Sequence, residues 1–291
     1  MKEIHIKIID KMKSLLFLYF CVAMAFSAMA SSVSDTYVIP NPQQMVCGDG
    51  HFVLRAQASF SCNLTGADKD DFVSYVSNSP FSLTYKKKGK ADITFKLVSS
   101  EGNMKEEAYR LKVTKKGIQA EATSASGLFY AFQSIVQLAR ESGNGTYQLP
   151  EVTIEDAPRF SYRGMHLDVS RHFYTKEFVK KQIDALARYK LNRFHWHLTD
   201  GAGWRIEIRK YPELTRETAY RPFPDWKSWW NGGRTYCRQD APGASGGYYT
   251  QEDVKEIVEY ARQRHITVIP EIEMPAHSEE VLAALPQLEG I

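Results

Sequence analysis

The 291-residue sequence contains little cysteine, no extended basic block and no long apolar run after residue 30. One of its four cysteines, Cys21, lies in the apolar N-terminal segment, and the others are Cys47, Cys62 and Cys237. These three are too few for a disulfide-based scaffold, and their odd number leaves at least one thiol without an intrachain partner. Pairing of Cys47 with Cys62 stays open, because a hairpin turn over residues 48–50 would bring them together. The connectivity cannot be read from the sequence, but the chain is long enough to bury a hydrophobic core.

The charge balance argues against a protein that binds nucleic acid. The chain has 37 basic and 34 acidic residues, which gives a net charge of +3 without a basic footprint. A short basic run over residues 86–90 is typical of a solvated hairpin tip. The hydrophobic fraction of 43% and the charged fraction of 24% are those of a soluble globular protein, and the length allows two domains.

The first thirty residues have the pattern of a secretory signal peptide. Lysines at positions 2, 7, 11 and 13 precede an apolar run over residues 15–26, and an Ala-x-Ala pattern over residues 28–30 predicts cleavage before Ser31. The apolar run is short for a membrane-spanning helix and no second run follows, so no stable membrane span is expected. The sequence therefore predicts export to the periplasm or the extracellular space. Lipid anchoring through Cys21 is an alternative that the bulky Phe20 disfavours.

Residues 31–157 are predicted to form a small α+β domain. Short alternating segments predict strands over residues 44–46, 51–55, 93–98, 108–114 and 117–122, and helical spacing of apolar residues predicts helices over residues 68–76 and 125–140. None of these segments carries a motif with an evident chemical use. We therefore look for function in the second part of the chain.

From residue 158 onward, longer strands alternate with longer helices. Strands are predicted over residues 162–169, 193–198 and 266–272, and helices over residues 176–189, 251–264 and 278–285. Thr175 and Thr250 are the predicted N-caps, and Asp253 completes a capping box with Thr250. This alternation predicts an α/β fold with a parallel sheet, and the best candidate is a (β/α)8 TIM-type barrel. Such a barrel takes eight units and about 250 residues, so residues 158–291 are expected to form its first three units at the front of a longer protein.

Titratable side chains follow the ends of all three predicted barrel strands. Arg171 follows the first strand, Asp200 follows the second, and Glu273 and His277 follow the third. The carboxyl ends of the strands form the catalytic face of such a barrel, whereas the opposite ends mostly serve stability. We therefore expect these residues to share one site, although Asp200 could instead cap the glycine turn that follows it.

Two histidines on the second strand permit a different chemistry. His195 and His197 alternate along the strand, so both imidazoles face the same side at a spacing that suits a metal. A metal-dependent barrel hydrolase is therefore an alternative enzyme.

The segment over residues 209–249 is longer than an ordinary connection in a β-α unit. Such a length is typical of a lid or a binding loop. The segment is rich in tryptophan and tyrosine, which can stack on sugar rings, but most of these side chains are expected to pack the segment onto the barrel.

Three segments carry a specific pattern: RGMHLDVSRHF, NRFHWHLTDGAGWRIEI and GGYYTQEDVKEIVEYARQRHITVIPEIEMPAH. In order and spacing they closely resemble the catalytic barrel of the family 20 glycoside hydrolases, the β-N-acetylhexosaminidases, and the preceding domain resembles the small domain in front of that barrel. The resemblance implies hydrolysis of terminal, non-reducing β-linked GlcNAc or GalNAc in glycans with retention of configuration. The substrate's own 2-acetamido oxygen attacks the anomeric carbon in this mechanism, and no metal or organic cofactor is used.

The resemblance also implies roles for individual residues. Arg171 matches the arginine that holds the O3 and O4 hydroxyls of the sugar. Asp200 and His277 match a relay that supports the catalytic acid, and Glu273 matches an acidic position at the rim. An adjacent Asp-Glu pair after the fourth strand steadies the acetamide and protonates the leaving oxygen, and here that pair is expected beyond Ile291.

Two features depart from the family pattern. Many members have Asp-Asp-Gln-Gly-Trp where this chain has Asp200-Gly-Ala-Gly-Trp, so the acidic neighbour of Asp200 is missing. The adjacent Glu279 and Glu280 are predicted to form a solvated helix face and not the acid pair. We therefore expect the 291-residue chain alone to be inactive, and a non-catalytic sugar-binding or inert fragment is the alternative to an enzyme.

Overall fold

The computed structural model describes residues 36–99 and 105–290. From Val38 onward the described residues form one compact unit. The predicted signal peptide lies outside these ranges, and export stays a prediction. No helix within them is both long enough and apolar enough to cross a membrane.

An eight-stranded mixed sheet forms the first half of the described chain. Its strands are β1 (Gln44–Leu54), β2 (Ser59–Cys62), β3 (Thr84–Tyr85), β4 (Ile93–Leu97), β5 (Tyr109–Thr114), β6 (Gly117–Ala122), β7 (Arg140–Gly143) and β8 (Thr146–Asp156). They pair in the order β1-β8-β5-β6-β4-β2-β3, with β7 beside β8. The sheet carries helices α1 (Gly66–Ser77) and α2 (Ala125–Leu138). Helix α2 is buried along most of its length because it is apolar nearly all round, and the predicted α+β architecture is confirmed.

The hairpin turn over residues 48–50, which would have allowed Cys47 to pair with Cys62, is not formed. These residues lie inside β1, an eleven-residue strand that pairs antiparallel with the equally long β8. Because β8 offers hydrogen-bond partners along its length, the glycine-rich stretch becomes a shift of register within the strand and not a turn. Cys47, Cys62 and Cys237 are all free thiols.

The second half of the chain contains three parallel strands with their helices. The strands β9 (Gly164–Asp168), β10 (Arg193–His197) and β15 (Thr267–Glu271) pair with β10 at the centre. Helix α3 (Lys176–Arg188) follows β9, α6 (Gln251–Arg262) precedes β15, and α7 (Glu279–Ala284) and a 3₁₀ turn (Pro286–Leu288) follow it. The connection from β10 to α6 contains β11 (Thr199–Asp200), β12 (Gly203–Trp204), α4 (Glu213–Thr218), β13 (Tyr220–Arg221), α5 (Trp226–Asn231) and β14 (Ser245–Gly246). The three predicted β-α units are confirmed.

Local signals explain where the two long helices begin. The Thr175 hydroxyl accepts a hydrogen bond from the Phe178 backbone at the start of α3. Thr250 and Asp253 form a reciprocal capping box at the start of α6. Both predicted caps are confirmed, because a cap needs only residues three positions apart.

The central strand β10 separates an apolar face from a polar one. Phe194 and Trp196 are fully buried in the main hydrophobic core, and Leu198, just beyond the strand, continues this face. His195 and His197 alternate with them and lie on the opposite face. The face that a closed barrel would turn inward therefore carries titratable groups.

Candidate active site

The carboxyl ends of the three parallel strands meet in register. His197, at the end of β10, lies opposite Asp168 on β9 and opposite Glu271 on β15. Side chains in one row of a sheet face the same side, so an imidazole and two carboxylates share this level of the sheet. The chain then continues into β11, which holds Asp200 in a short antiparallel pair with β12.

Asp200 is the focus of the charged groups at this rim. Its side chain is only 6% exposed, and one carboxylate oxygen, Oδ2, faces three nitrogen atoms. Nη2 of Arg171 lies 2.6 Å away, Nε2 of His197 lies 3.4 Å away and Nδ1 of His277 lies 3.6 Å away. The carboxylate thus faces side chains that follow or end three different strands, an arrangement that turn capping does not require.

Two aspartates hold Arg171 in place. Its Nη1 atom lies 2.9 Å from Oδ2 of Asp168, and its backbone N–H donates to the other oxygen of the same carboxylate at 3.0 Å. The contact with Asp200 fixes the second guanidinium nitrogen. About a third of the Arg171 side chain stays exposed at the rim, so it can still meet a ligand.

The third strand delivers His277 and Glu273 to the same rim. His277 is exposed, and its backbone is left-handed with φ 53°, a conformation that is uncommon for a non-glycine residue but several-fold enriched for histidine. Glu273 is half-buried, and its backbone N–H donates to Oγ1 of Thr199 at 2.9 Å. The structure therefore brings Arg171, Asp200 and His277 together, with Glu273 tied to the adjacent strand.

The contact between His197 and Glu271 is a feature that sequence reasoning missed. Oε2 of Glu271 lies 2.7 Å from Nδ1 of His197 and 2.7 Å from Nε2 of His195. Burial alone would lower the pKa of His197, but the carboxylates of Asp200 and Glu271 outweigh burial and raise it to about 9. The alternation of histidines on β10 was the available signal, but their carboxylate partner lies more than seventy residues further along the chain.

The prediction that Glu279 and Glu280 form a solvated face is wrong for Glu280. Glu279 is exposed and lies 3.5 Å from Arg234, whereas Glu280 is 0% exposed. Neither carboxylate oxygen of Glu280 has a hydrogen-bond partner among the described residues. The reason is packing, because α7 lies against α4 and β12, with Val281 and Ala284 in that interface, and the packed helix leaves Glu280 without access to solvent. A side chain at Gly201 would collide with the Glu279 carboxylate, so Glu279 lies beside the position where many family members carry the second aspartate.

Glu280→Gln is expected to stabilise the protein at about pH 8 by about 2–4 kcal/mol and to have little effect near pH 4. Burial, reinforced by the charges of Asp200 and Glu279, raises the pKa of Glu280 to about 8 in the folded state. A raised pKa adds stability below the unfolded-state value, and this stability is lost as the pH rises through the folded-state value. Urea unfolding at both pH values measures the difference. Glu279→Gln is the matched control and should leave the pH dependence in place; the same pH dependence in wild type and Glu280→Gln would contradict the prediction.

The aromatic side chains of the long connection differ in burial. Trp229 and Tyr249 are buried, and the Tyr236 hydroxyl donates to the Gly201 carbonyl beside Asp200. Trp226 and Trp230 are exposed in part, with their ring centroids 5.4 Å apart. The predicted packing role is thus confirmed for the buried rings, and a role of the segment as a lid stays a prediction.

Two family models match the sequence. The model described as glycosyl hydrolase family 20, catalytic domain, matches residues 160–290, and the model described as glycosyl hydrolase family 20, domain 2, matches residues 35–157. The chain is 38% identical over 264 residues to a beta-hexosaminidase of Vibrio furnissii, and the aligned region covers 89% of this chain and 41% of that protein. It is 47% identical over 191 residues to a beta-hexosaminidase of Porphyromonas gingivalis, and this aligned region covers 64% of this chain and 22% of that protein.

Solved structures show the same similarity. The exo beta-N-acetylglucosaminidase of Vibrio harveyi, in complex with N-acetylglucosamine, aligns with a TM-score of 0.74 at 35% identity over 87% of this chain and 38% of that one. The N-acetyl-beta-hexosaminidase of Streptomyces plicatus aligns with a TM-score of 0.72 at 32% identity over 87% of this chain and 49% of that one. The chain thus spans less than half the length of each of these relatives. Its three parallel strands correspond to part of a TIM-barrel catalytic domain like theirs. Since the two family models together match residues 35–157 and 160–290, the chain belongs to glycosyl hydrolase family 20.

Proposed function

We propose that a protein carrying this chain removes terminal, non-reducing β-linked N-acetylhexosamine from glycans with retention of configuration. One observation carries the proposal: three nitrogen-bearing side chains converge on a single buried carboxylate, Asp200, at the carboxyl ends of the barrel strands. Membership of family 20 and the named beta-hexosaminidase relatives give the substrate class.

The reaction proceeds without a nucleophile from the protein. The carbonyl oxygen of the substrate's 2-acetamido group attacks the anomeric carbon, the bond to the leaving oxygen breaks, and a general acid protonates that oxygen. Water then opens the cyclic intermediate on the face from which the aglycone has left, which restores the original configuration. In the family pattern the acid and its aspartate neighbour follow the fourth strand, whereas the described residues supply three parallel barrel strands.

Within this reaction the described residues bind the sugar and support the acid. Arg171, pinned by Asp168 and Asp200 but exposed at the rim, is proposed to donate its forked N–H groups to vicinal sugar hydroxyls. His277 is proposed to support the acid, and its Nδ1 atom faces the Asp200 carboxylate at 3.6 Å, which orients the ring. Glu273 is proposed to contact the substrate from the rim.

The protein with the complete barrel is expected to release the chromophore from an aryl N-acetyl-β-glucosaminide. A thiazoline that mimics the cyclised intermediate should inhibit it, because such a compound resembles the state in which the acetamide oxygen has bonded to the anomeric carbon. The matching aryl β-glucoside, which lacks the acetamide, is the control and should not be cleaved. Efficient cleavage of the aryl β-glucoside would contradict the proposed mechanism. The 291-residue chain alone, without the acid, is expected to be at least about 10²–10⁴-fold slower, and near-equal turnover would contradict the assignment of the acid to the fourth strand.

We propose that residues 1–30 direct the protein out of the cytoplasm, where it would meet glycans in the periplasm or outside the cell. The basic start, the apolar run and the small residues before Ser31 support this proposal. Intact-mass measurement of the protein recovered from cell fractions tests it. A mature N-terminus at Ser31 is expected, and an uncleaved chain that stays in the cytoplasm would rule out the signal peptide.

A further inference from the structure

Three histidines surround one carboxylate on the inner face of the parallel sheet. The register of β9 and β10 places His166 beside His195, and the register of β10 and β15 places His197 beside Glu271. Oε2 of Glu271 lies 2.7 Å from a nitrogen of His195, 2.7 Å from Nδ1 of His197 and 3.6 Å from Nε2 of His166. These groups lie on adjacent strands, so the backbone of the sheet sets their separation.

Two atoms at the centre of this cluster lack an aligned hydrogen bond. Nδ1 of His197 and Oε2 of Glu271 are both buried and lie 2.7 Å apart, at ion-pair distance but without the alignment of a hydrogen bond. The His197 side chain is 5% exposed. Buried polar atoms without aligned partners are rare and costly, so a group that both atoms could bind would stabilise this part of the sheet.

The spacing of the ligand atoms suits a small divalent cation. A nitrogen of His166, a nitrogen of His197 and an oxygen of Glu271 lie within 4.8 Å of one another. Zinc binds imidazole and carboxylate at about 2.0–2.2 Å with tetrahedral geometry, which places neighbouring ligand atoms about 3.3 Å apart. The observed separations of 2.7 and 3.6 Å from Oε2 of Glu271 lie on either side of that value.

The surrounding contacts are those that metal ligands usually make. A ligating histidine generally donates its other ring N–H to a carboxylate, and a ligating carboxylate is itself hydrogen-bonded. Nε2 of His197, the ring nitrogen that does not face Glu271, lies 3.4 Å from Oδ2 of Asp200. His197 therefore has a carboxylate beside the ring nitrogen that would not bind the ion.

We propose that His166, His197 and Glu271 form a binding site for a divalent transition-metal ion of the zinc class, with a water molecule as the fourth ligand. The ion has a structural role, because it lies beneath the rim and fixes the His197 ring that faces Asp200. It takes no part in glycoside cleavage. The proposed ligand contacts, those of Glu271 with His166 and His197, are not among the contacts that carry the proposed function, and zinc binding does not depend on hydrolysis.

Isothermal titration calorimetry of the tag-free chain with zinc tests the site directly. One equivalent of zinc is expected to bind, and cobalt is expected to give the visible absorption bands of a tetrahedral nitrogen and oxygen site. His166→Asn and Glu271→Gln should each weaken zinc binding at least about 10-fold. His172→Asn, the same substitution on an exposed histidine six residues from His166, is the matched control and should leave binding unchanged.

His166 is half-exposed, so its replacement leaves the core intact and circular dichroism can confirm that the variant is folded. Binding at cysteine thiols would be revealed by sulfur-to-cobalt charge-transfer bands in the near ultraviolet, and these bands would overturn the assignment. Absence of zinc binding, or equal binding by wild type, His166→Asn and Glu271→Gln, would also overturn it and would leave the proposed glycosidase function untouched.

Discussion

Replacement of Arg205 by methionine is expected to lower the free energy of unfolding by about 3–5 kcal/mol. The Arg205 side chain is fully buried and donates hydrogen bonds to the backbone carbonyls of five residues, namely Val169, Ser170, Ala202, Ala219 and Gly247. These carbonyls belong to the segment after β9, to the turn between β11 and β12, and to the long connection. Methionine retains much of the volume but donates no hydrogen bond, so the buried carbonyls of three segments lose a charged donor.

Chemical denaturation followed by far-ultraviolet circular dichroism measures this loss. Arg209→Met is the matched control, since Arg209 is exposed and makes a surface ion pair with Glu252. That control should change the free energy of unfolding by less than about 1 kcal/mol. An Arg205→Met variant that unfolds at the same denaturant concentration as the wild type would show that the guanidinium is not needed to hold the three segments together.

Asp200→Asn in the protein with the complete barrel is expected to lower kcat about 10²-fold or more, with a smaller change in KM. Asparagine keeps the size of the side chain but removes the charge that faces Arg171, His197 and His277. Without that charge, Arg171 and His277 lose the carboxylate that positions them, so His277 no longer supports the acid in the transition state. Steady-state kinetics with the aryl N-acetyl-β-glucosaminide measures both constants.

Arg171→Ala provides the comparison, because it is expected to act mainly on binding. Loss of the forked donor leaves sugar hydroxyls without partners in the site, which should raise KM about 10-fold or more and change kcat less. Opposite patterns in the two variants are therefore expected. If both variants changed kcat by the same factor and KM by the same factor, the assignment of support to Asp200 and of binding to Arg171 would be wrong.

Sequence reasoning succeeded where short-range chemistry decides the structure. Thr175 and Thr250 cap their helices through residues three positions away, and the alternation of Phe194 and Trp196 with histidines sets the two faces of β10 within five residues. The strand-end positions of Asp200 and His277 followed from the same local patterns. Residues 48–50 were misread because glycines permit either a turn or a bulge, and only the long partner strand β8 selects the bulge.

The sequence by itself determined the order of β-α units, the helix caps and the placement of Arg171, Asp200 and His277 after successive strands, because these depend on periodicity and on hydrogen bonds between near neighbours. Only the tertiary structure decided which of these groups touch. The contact of Glu271 with His197 depends on the register of two strands that are distant in the chain, and the burial of Glu280 depends on how α7 packs against α4. Packing between distant segments sets both, and a local sequence pattern contains no information about its partner across the sheet.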